Sequence, residues 1–298
     1  FSIKKRFQPT KMKNIFFINN NTTLFCSILV IAELNIDWGS TTFALSRNNK
    51  ADWLPCKHIL DLEKKSDSAH LIELLRKQKK PFSVFLPHDG SSRGLRKKAI
   101  NHPLCNKVNY IEEGLLSYTE DPYRLSNDAK KICSIPLLGR MLRRFLQRPL
   151  FGAQNAYFYC FNEKAFPKAS ESNRIKLLNH DVIHQYYKPR INKPSFILLA
   201  TPAESFEPIL KAYECLSDQK SKMPVYLKLH PDSHKGKYKK ITRDIIKSAE
   251  NIGAHILDSS TILEAEIMLN QHHLIGNKTT SLKFYSETVG CQYTAVAT

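Results

Sequence analysis

Short apolar runs alternate with helix-length amphipathic segments along this chain, and that rhythm limits the fold more than any other feature. KNIFFIN (13–19) reads as a strand, and NTTLFCSILVIAEL (21–34) as a polar N-cap leading into an apolar helix. STTFALS (40–46) and CKHILDL (56–62) read as strands. SAHLIELLRKQKK (68–80) reads as a helix with Leu71, Leu74 and Leu75 on one face and a basic C-terminus. PFSVFLP (81–87) and KVNYIEE (107–113) are further strands. This alternation predicts a parallel sheet covered by helices on both faces.

The second half repeats the rhythm. PSFILLATP (194–202) is a strand, and AESFEPILKAYECL (203–216) a helix in which Pro208 is expected to bend or restart the turn. PVYLKLHP (224–231) is a strand, and GKYKKITRDIIKSAENIG (236–253) a helix ending on Gly253. AHILD, TILEAEIML, HHLIGN, TTSLKFYSETVG and QYTAVAT then read as strand, helix, strand, helix, strand. A chain of 298 residues is long for one core and comfortable for two. The expected fold is therefore α/β, with two Rossmann-like domains, 1–150 and 151–298, facing each other across a cleft. In such sheets ligands sit beyond the carboxyl ends of the strands.

Charge narrows the partners. Forty-five Lys and Arg against 27 Asp and Glu give a formal net charge of +18, which predicts a nucleic acid, an anionic membrane surface or a polyanionic saccharide as partner. Residues 124–148 hold seven basic side chains and one acid, Asp128. SIPLLGRMLRRFLQR (134–148) places Ile135, Leu138, Met141, Leu142, Phe145 and Leu146 on one helical face and Arg140, Arg143, Arg144 and Arg148 on the other. Such a helix can lie on an anionic membrane, bind a polyanion, or pack on the core with its arginines in water. Seven cysteines with no CxxC pair fit a reducing compartment rather than a disulfide scaffold or zinc site. No apolar run approaches the roughly 20 residues that span a bilayer. GxGxxG and Walker loops are absent, as are RNA-binding aromatic motifs and zinc-finger spacing, which disfavours dehydrogenases and nucleic-acid binders.

Three short motifs fall at predicted element ends. Glu112, Glu113 and Gly114 close the strand KVNYIEE; His230 and Pro231 close PVYLKLHP; and Thr279, Thr280 and Ser281 open the helix after HHLIGN. A strand-end histidine can exchange a proton near neutrality. A hydroxyl tandem at a helix N-terminus offers a phosphate its hydroxyls and open backbone N–H groups, though capping alone needs one of the three. A solvated turn accounts equally for an isolated Glu-Glu-Gly. Glu264 and Glu266 lie in a short apolar helix and are candidates for a ribose diol or ordinary helix acids.

Together, the strand-end acid pair with glycine, the His-Pro and the hydroxyl tandem resemble the (D/E)(D/E)G, HP and Ser/Thr motifs of bacterial sialyltransferases, in the same order. The resemblance is to the capsule polysialyltransferases, with lipooligosaccharide sialyltransferases sharing the trio. It implies a GT-B glycosyltransferase architecture, with an acceptor-binding first domain and a CMP-binding second one. It also implies inverting, metal-independent transfer from CMP-sialic acid as donor substrate, with no further cofactor. Glu112 or Glu113 would be the base and Gly114 would bring the acceptor close. His230, beside Pro231, would meet the departing phosphate. Thr280 and Ser281, with Thr279, would hold that phosphate, and Glu266 or Glu264 the ribose. Arg140, Arg143, Arg144 and Arg148, with Lys235, Lys237, Lys239 and Lys240, would line a track for an oligosialic acceptor, or the basic helix would hold a cytoplasmic enzyme against the anionic inner membrane. A lipooligosaccharide sialyltransferase, a CMP-Kdo-dependent capsule transferase and a non-enzymatic polyanion-binding protein are the alternatives.

Overall fold

The computed structural model describes residues 13–46, 49, 51–87, 94–118, 156–167, 169–217, 223–278 and 280–297. The chain divides into two compact units, Phe1–Asn179 and His180–Thr298.

The first unit is built on a seven-stranded sheet: β1 (Asn14–Ile18), β2 (Thr41–Leu45), β3 (His58–Asp61), β4 (Phe82–Leu86), β5 (Cys105–Ile111), β6 (Tyr157–Cys160) and β7 (Arg174–Lys176). Its order is β3-β2-β1-β4-β5-β6-β7, and all neighbours run parallel. The buried runs Ile15–Ile18 of β1 and Thr41–Leu45 of β2 belong to strands covered on both faces. Phe16 of β1 stacks on Phe85 of β4, ring centroids 4.2 Å apart. Helix α1 (Asn21–Glu33) is apolar around most of its circumference and buried from Thr22 to Ile31. Asn20 caps it by accepting the Thr23 N–H at 2.8 Å. Helices α2 (Lys65–Lys77) and α3 (Leu95–Ile100) follow β3 and precede β5.

The second unit opens with the short helix α4 (Ile183–Tyr186) and carries a five-stranded sheet: β8 (Phe196–Ala200), β9 (Val225–Leu229), β10 (His255–Ile256), β11 (His273–Asn277) and β12 (Gln292–Val296). Its order is β10-β9-β8-β11-β12, again all parallel. The helices are α5 (Glu207–Ser217), α6 (Lys239–Asn251), α7 (Leu263–Leu269) and α8 (Leu282–Val289). Helix α5 starts four residues later than the sequence pattern predicts, so Pro208 sits in its first turn, where a missing N–H costs nothing. No bend at Pro208 is needed.

The boundary lies at Asn179/His180 rather than near residue 150, because β6 pairs with β5 and β7 with β6, completing the first sheet. Among the described residues no helix is long and apolar enough to cross a membrane.

Candidate functional site

In the first sheet the chain works outward from β1 to β3, then returns to β4 on the other side of β1. The crevice at the carboxyl ends of β1 and β4 is thus the topological switch point, the usual ligand position in an open parallel sheet. Asn19 follows β1, Arg96 lies on α3 after β4, and Glu112 and Glu113 follow β5. All four are buried.

The adjacent acids meet different surroundings, as successive residues at a strand end do. Glu112 turns into the fold. Its Oε2 accepts the N–H of Phe161 at 2.7 Å and of Asn162 at 3.3 Å, and its Oε1 accepts the Tyr118 hydroxyl. Burial, reinforced by the Glu112 charge, pushes the Tyr118 hydroxyl far above the usual tyrosine range and keeps it a donor. Glu113 instead accepts the Asn19 amide N–H on Oε1 at 2.9 Å. Asn19 in turn accepts a hydrogen bond from the Arg96 guanidinium, whose Cζ lies 5.5 Å from the Phe17 ring centroid. The backbone around Glu113 is fixed as well: its N–H donates to Ser117 Oγ and its carbonyl accepts from Asn20 Nδ2, both at 2.9 Å. Gly114 follows at φ 122°, in the region that favours glycine, and lets the chain leave the strand abruptly.

In the second unit His230 is exposed at the end of β9, where its N–H donates to Ala200 O at 2.8 Å and Pro231 opens a 3-10 turn. Thr280 and Ser281 precede α8: Thr280 Oγ1 accepts the Leu282 N–H at 3.3 Å, while the Ser281 side chain makes no capping bond. Lys235 and Lys237 are exposed on the segment after His230, and Lys237 Nζ lies 4.6 Å from the Tyr238 ring centroid. Thr279, Arg140, Arg143, Arg144 and Arg148 lie outside the described residues.

The two ribose candidates separate. Glu266 is fully buried and committed to the protein: Oε1 accepts the Tyr187 hydroxyl at 2.7 Å and the Arg190 N–H at 2.8 Å, and Oε2 accepts the Ile191 N–H at 3.2 Å. It holds the 187–191 segment, so its expected role on a ribose is not the one its geometry serves. Glu264 is also buried, and its charge acts on Lys228.

Sequence reasoning passed over Asn19, Arg96 and Lys228. Lys228 stands two residues before His230 on β9 and donates to three carbonyls, Asp258 O at 2.7 Å and Ser259 O and Thr261 O at 3.0 Å. Burial pulls its ammonium down to about 8. A lysine inside an apolar strand was a readable signal; Asn19 and Arg96 gave none, since their partners are distant in sequence. Among the described residues no group of three or more His, Cys, Asp or Glu side chains is placed to hold a metal ion.

Among solved structures, the chain is similar to the wall teichoic acid polymerase TagF, at 13% identity and a TM-score of 0.50, covering 96% of this chain and 70% of that one. It is also similar to UDP-N-acetylglucosamine 2-epimerase from Rickettsia bellii, at 10% identity and a TM-score of 0.48, over 95% of this chain and 78% of that one. At these identities the polymerase likeness is one of fold: Rossmann-like units of parallel sheet, as in GT-B glycosyltransferases. No curated protein sequence matches the chain significantly. The family model for alpha-2,8-polysialyltransferase matches residues 42–289, spanning both units and all three strand-end motifs. The chain therefore belongs to the alpha-2,8-polysialyltransferase family, and is a glycosyltransferase of the sialyl-transferring type.

Proposed function

We propose that the protein transfers sialic acid from CMP-sialic acid to an anionic, sialic acid-containing glycan with inversion, using Glu113 as base. The observation that carries this reading is the split of the acid pair. Glu112 accepts three hydrogen bonds from the fold around it, whereas the Glu113 carboxylate meets the Asn19 amide at the switch point. An acid that must receive a proton has to be held in place by a rigid scaffold. The Arg96–Asn19 pair supplies that scaffold.

In this scheme Glu113 takes the proton of the acceptor hydroxyl, and that oxygen attacks the anomeric carbon from the face opposite CMP. The bond from that carbon to the phosphate oxygen breaks, and its electron pair leaves on CMP. His230 protonates or hydrogen-bonds the departing phosphate, and Thr280 and Ser281 hold it at the start of α8. A monophosphate leaving group carries less charge than a diphosphate, so neutral donors and an imidazole suffice without a metal. Glu264 is the remaining candidate for the ribose. Lys235 and Lys237 attract the anionic acceptor, as do the arginines of 140–148, and the basic segment of 140–148 would serve a peripheral position on the cytoplasmic face of the inner membrane.

Mixing the protein with CMP-sialic acid and an oligosialic acceptor should release CMP and lengthen the acceptor. Glu113→Gln should abolish this while retaining the fold. A preference for neutral, galactose-terminated acceptors over oligosialic ones would instead favour a lipooligosaccharide sialyltransferase.

A further inference from the structure

The second sheet has its own switch point. Its strands run outward from β8 to β10, and the chain then returns to β11 on the opposite side of β8. The crevice at the carboxyl ends of β8 and β11 is bordered by Glu204, four residues after β8, and by Asn277, the last residue of β11. None of the motif residues supplies a side chain from that post-β8 turn.

Two acceptors there are stranded. Glu204 Oε2 and Asn277 Oδ1 are both shut off from solvent and have no hydrogen-bond partner among the described residues. Asn277 is only 7% exposed. A buried acceptor left unmade costs about 1–3 kcal/mol, so two at one crevice, with no partner among the described residues, point to a bound ligand. Tyr293 ties them together: its hydroxyl donates to Asn277 O at 2.7 Å, and the Glu204 charge, after burial, pushes its ionisation well above the usual range. The phenol reaches the crevice by crossing Gly276. A Cβ there would lie 2.8 Å from the Tyr293 hydroxyl oxygen and 3.0 Å from Leu199. Next along the chain, Ser281 leaves the start of α8 without a side-chain cap.

We propose that Glu204 and Asn277 form an acceptor pair that receives two hydrogen-bond donors of the bound nucleotide and so sets its specificity. The proposal rests on the reading of this unit as the CMP site. Two groups of a cytidine nucleotide present paired donors: the exocyclic amine of the base and the ribose diol. The acceptors come from two separate residues on two strands, so a single amine nitrogen with diverging N–H bonds fits them more naturally than a diol, which a lone carboxylate would chelate. A carboxylate at that position repels the carbonyl that uracil presents in place of the amine. The pair therefore selects cytosine over uracil.

The test is equilibrium binding of CMP, UMP and 2′-deoxy-CMP to the full chain, compared with Glu204→Gln and Asn277→Ala, with melting temperature as a folding control. Glu204→Gln is nearly isosteric and keeps the fold measurable. The expected result is a loss of about tenfold or more in CMP affinity, from the value of a hydrogen bond to a charged group. The CMP-to-UMP preference should collapse as the new amide N–H donates to the uracil carbonyl oxygen. A collapse of the CMP-to-deoxy-CMP preference instead would keep the acceptor pair but assign it to the ribose. Unchanged CMP affinity and unchanged preferences in both folded variants would overturn the proposal. Failure of the unaltered protein to bind CMP at all would sink the CMP reading itself, a different outcome in the same titration.

Discussion

Glu112 and Glu113 are neighbours in sequence and opposites in environment: one carboxylate closes a three-donor cage at Tyr118, Phe161 and Asn162, the other leans on Asn19 at the sheet's switch point. The substitutions Glu112→Gln and Glu113→Gln should therefore fail in different ways. An amide at 112 brings N–H donors against groups that already donate, leaving at least one unsatisfied. We expect a loss of about 2–4 kcal/mol in denaturant unfolding, with turnover falling in step with the folded fraction. An amide at 113 keeps its shape but accepts no proton. Turnover should fall by about two to four orders of magnitude at unchanged melting temperature. Equal destabilisation by both would remove the distinction.

His230 offers a cleaner measurement, because it is exposed and its backbone N–H ties the strand end to Ala200. His230→Ala should alter stability by less than about 0.5 kcal/mol. It should lower the rate of CMP release while leaving acceptor binding intact. A more activated donor with a better leaving group should recover part of the lost rate, since the imidazole's task is at the departing phosphate. Full activity in the alanine variant would exclude His230 from the chemistry.

How much of this was legible in the sequence follows from the range of each interaction. Strands β1 to β5 and β8 to β12 were readable because each is an apolar run bounded by turn residues. The acid pair, the His-Pro and the hydroxyls were placed at strand and helix ends for the same reason. β7 was not readable: three residues, Arg174 to Lys176, with charged ends carry no strand signal and owe their conformation to pairing with β6. β6 did carry one in Tyr157, Phe158, Tyr159 and Cys160, and with it the boundary could have been set beyond residue 150. The choice between Glu112 and Glu113 was illegible, because it depends on Asn19, 94 residues away. Glu266 looked like a ligand acid because sequence shows a carboxylate but not the three donors that fill it.

Lys228 is the clearest structural lysine, and its removal should show at the loop it holds. Lys228→Met preserves the stem and deletes three hydrogen bonds to the carbonyls of Asp258, Ser259 and Thr261. Those carbonyls stay partly wet, so a loss of about 1–3 kcal/mol is expected. Backbone amides of 258–262 should exchange hydrogen faster than in the unaltered protein, while those of β12, at the far edge of the sheet, keep their rate. If exchange in the loop were unchanged, the clamp would be an incidental contact.

The last prediction concerns acid stability. His272 is 2% exposed at the amino end of β11, and neither ring nitrogen has a hydrogen-bond partner among the described residues. Burial pulls its pKa from the ordinary 6.5 down to about 4. In the unfolded chain the imidazole takes up a proton below 6.5, but the folded protein resists until about 4, so the unfolded state binds more protons across that window. Stability is therefore full above pH 6.5 and falls as the pH drops toward 4, by about 3 kcal/mol for this group. Other buried acids contribute slopes of their own, so the informative quantity is the difference from His272→Leu. In that variant urea unfolding at pH 7 and at pH 4.5 should give a smaller loss than in the unaltered protein. Parallel losses in the two proteins would show that His272 is already charged, or hydrated, in the folded state.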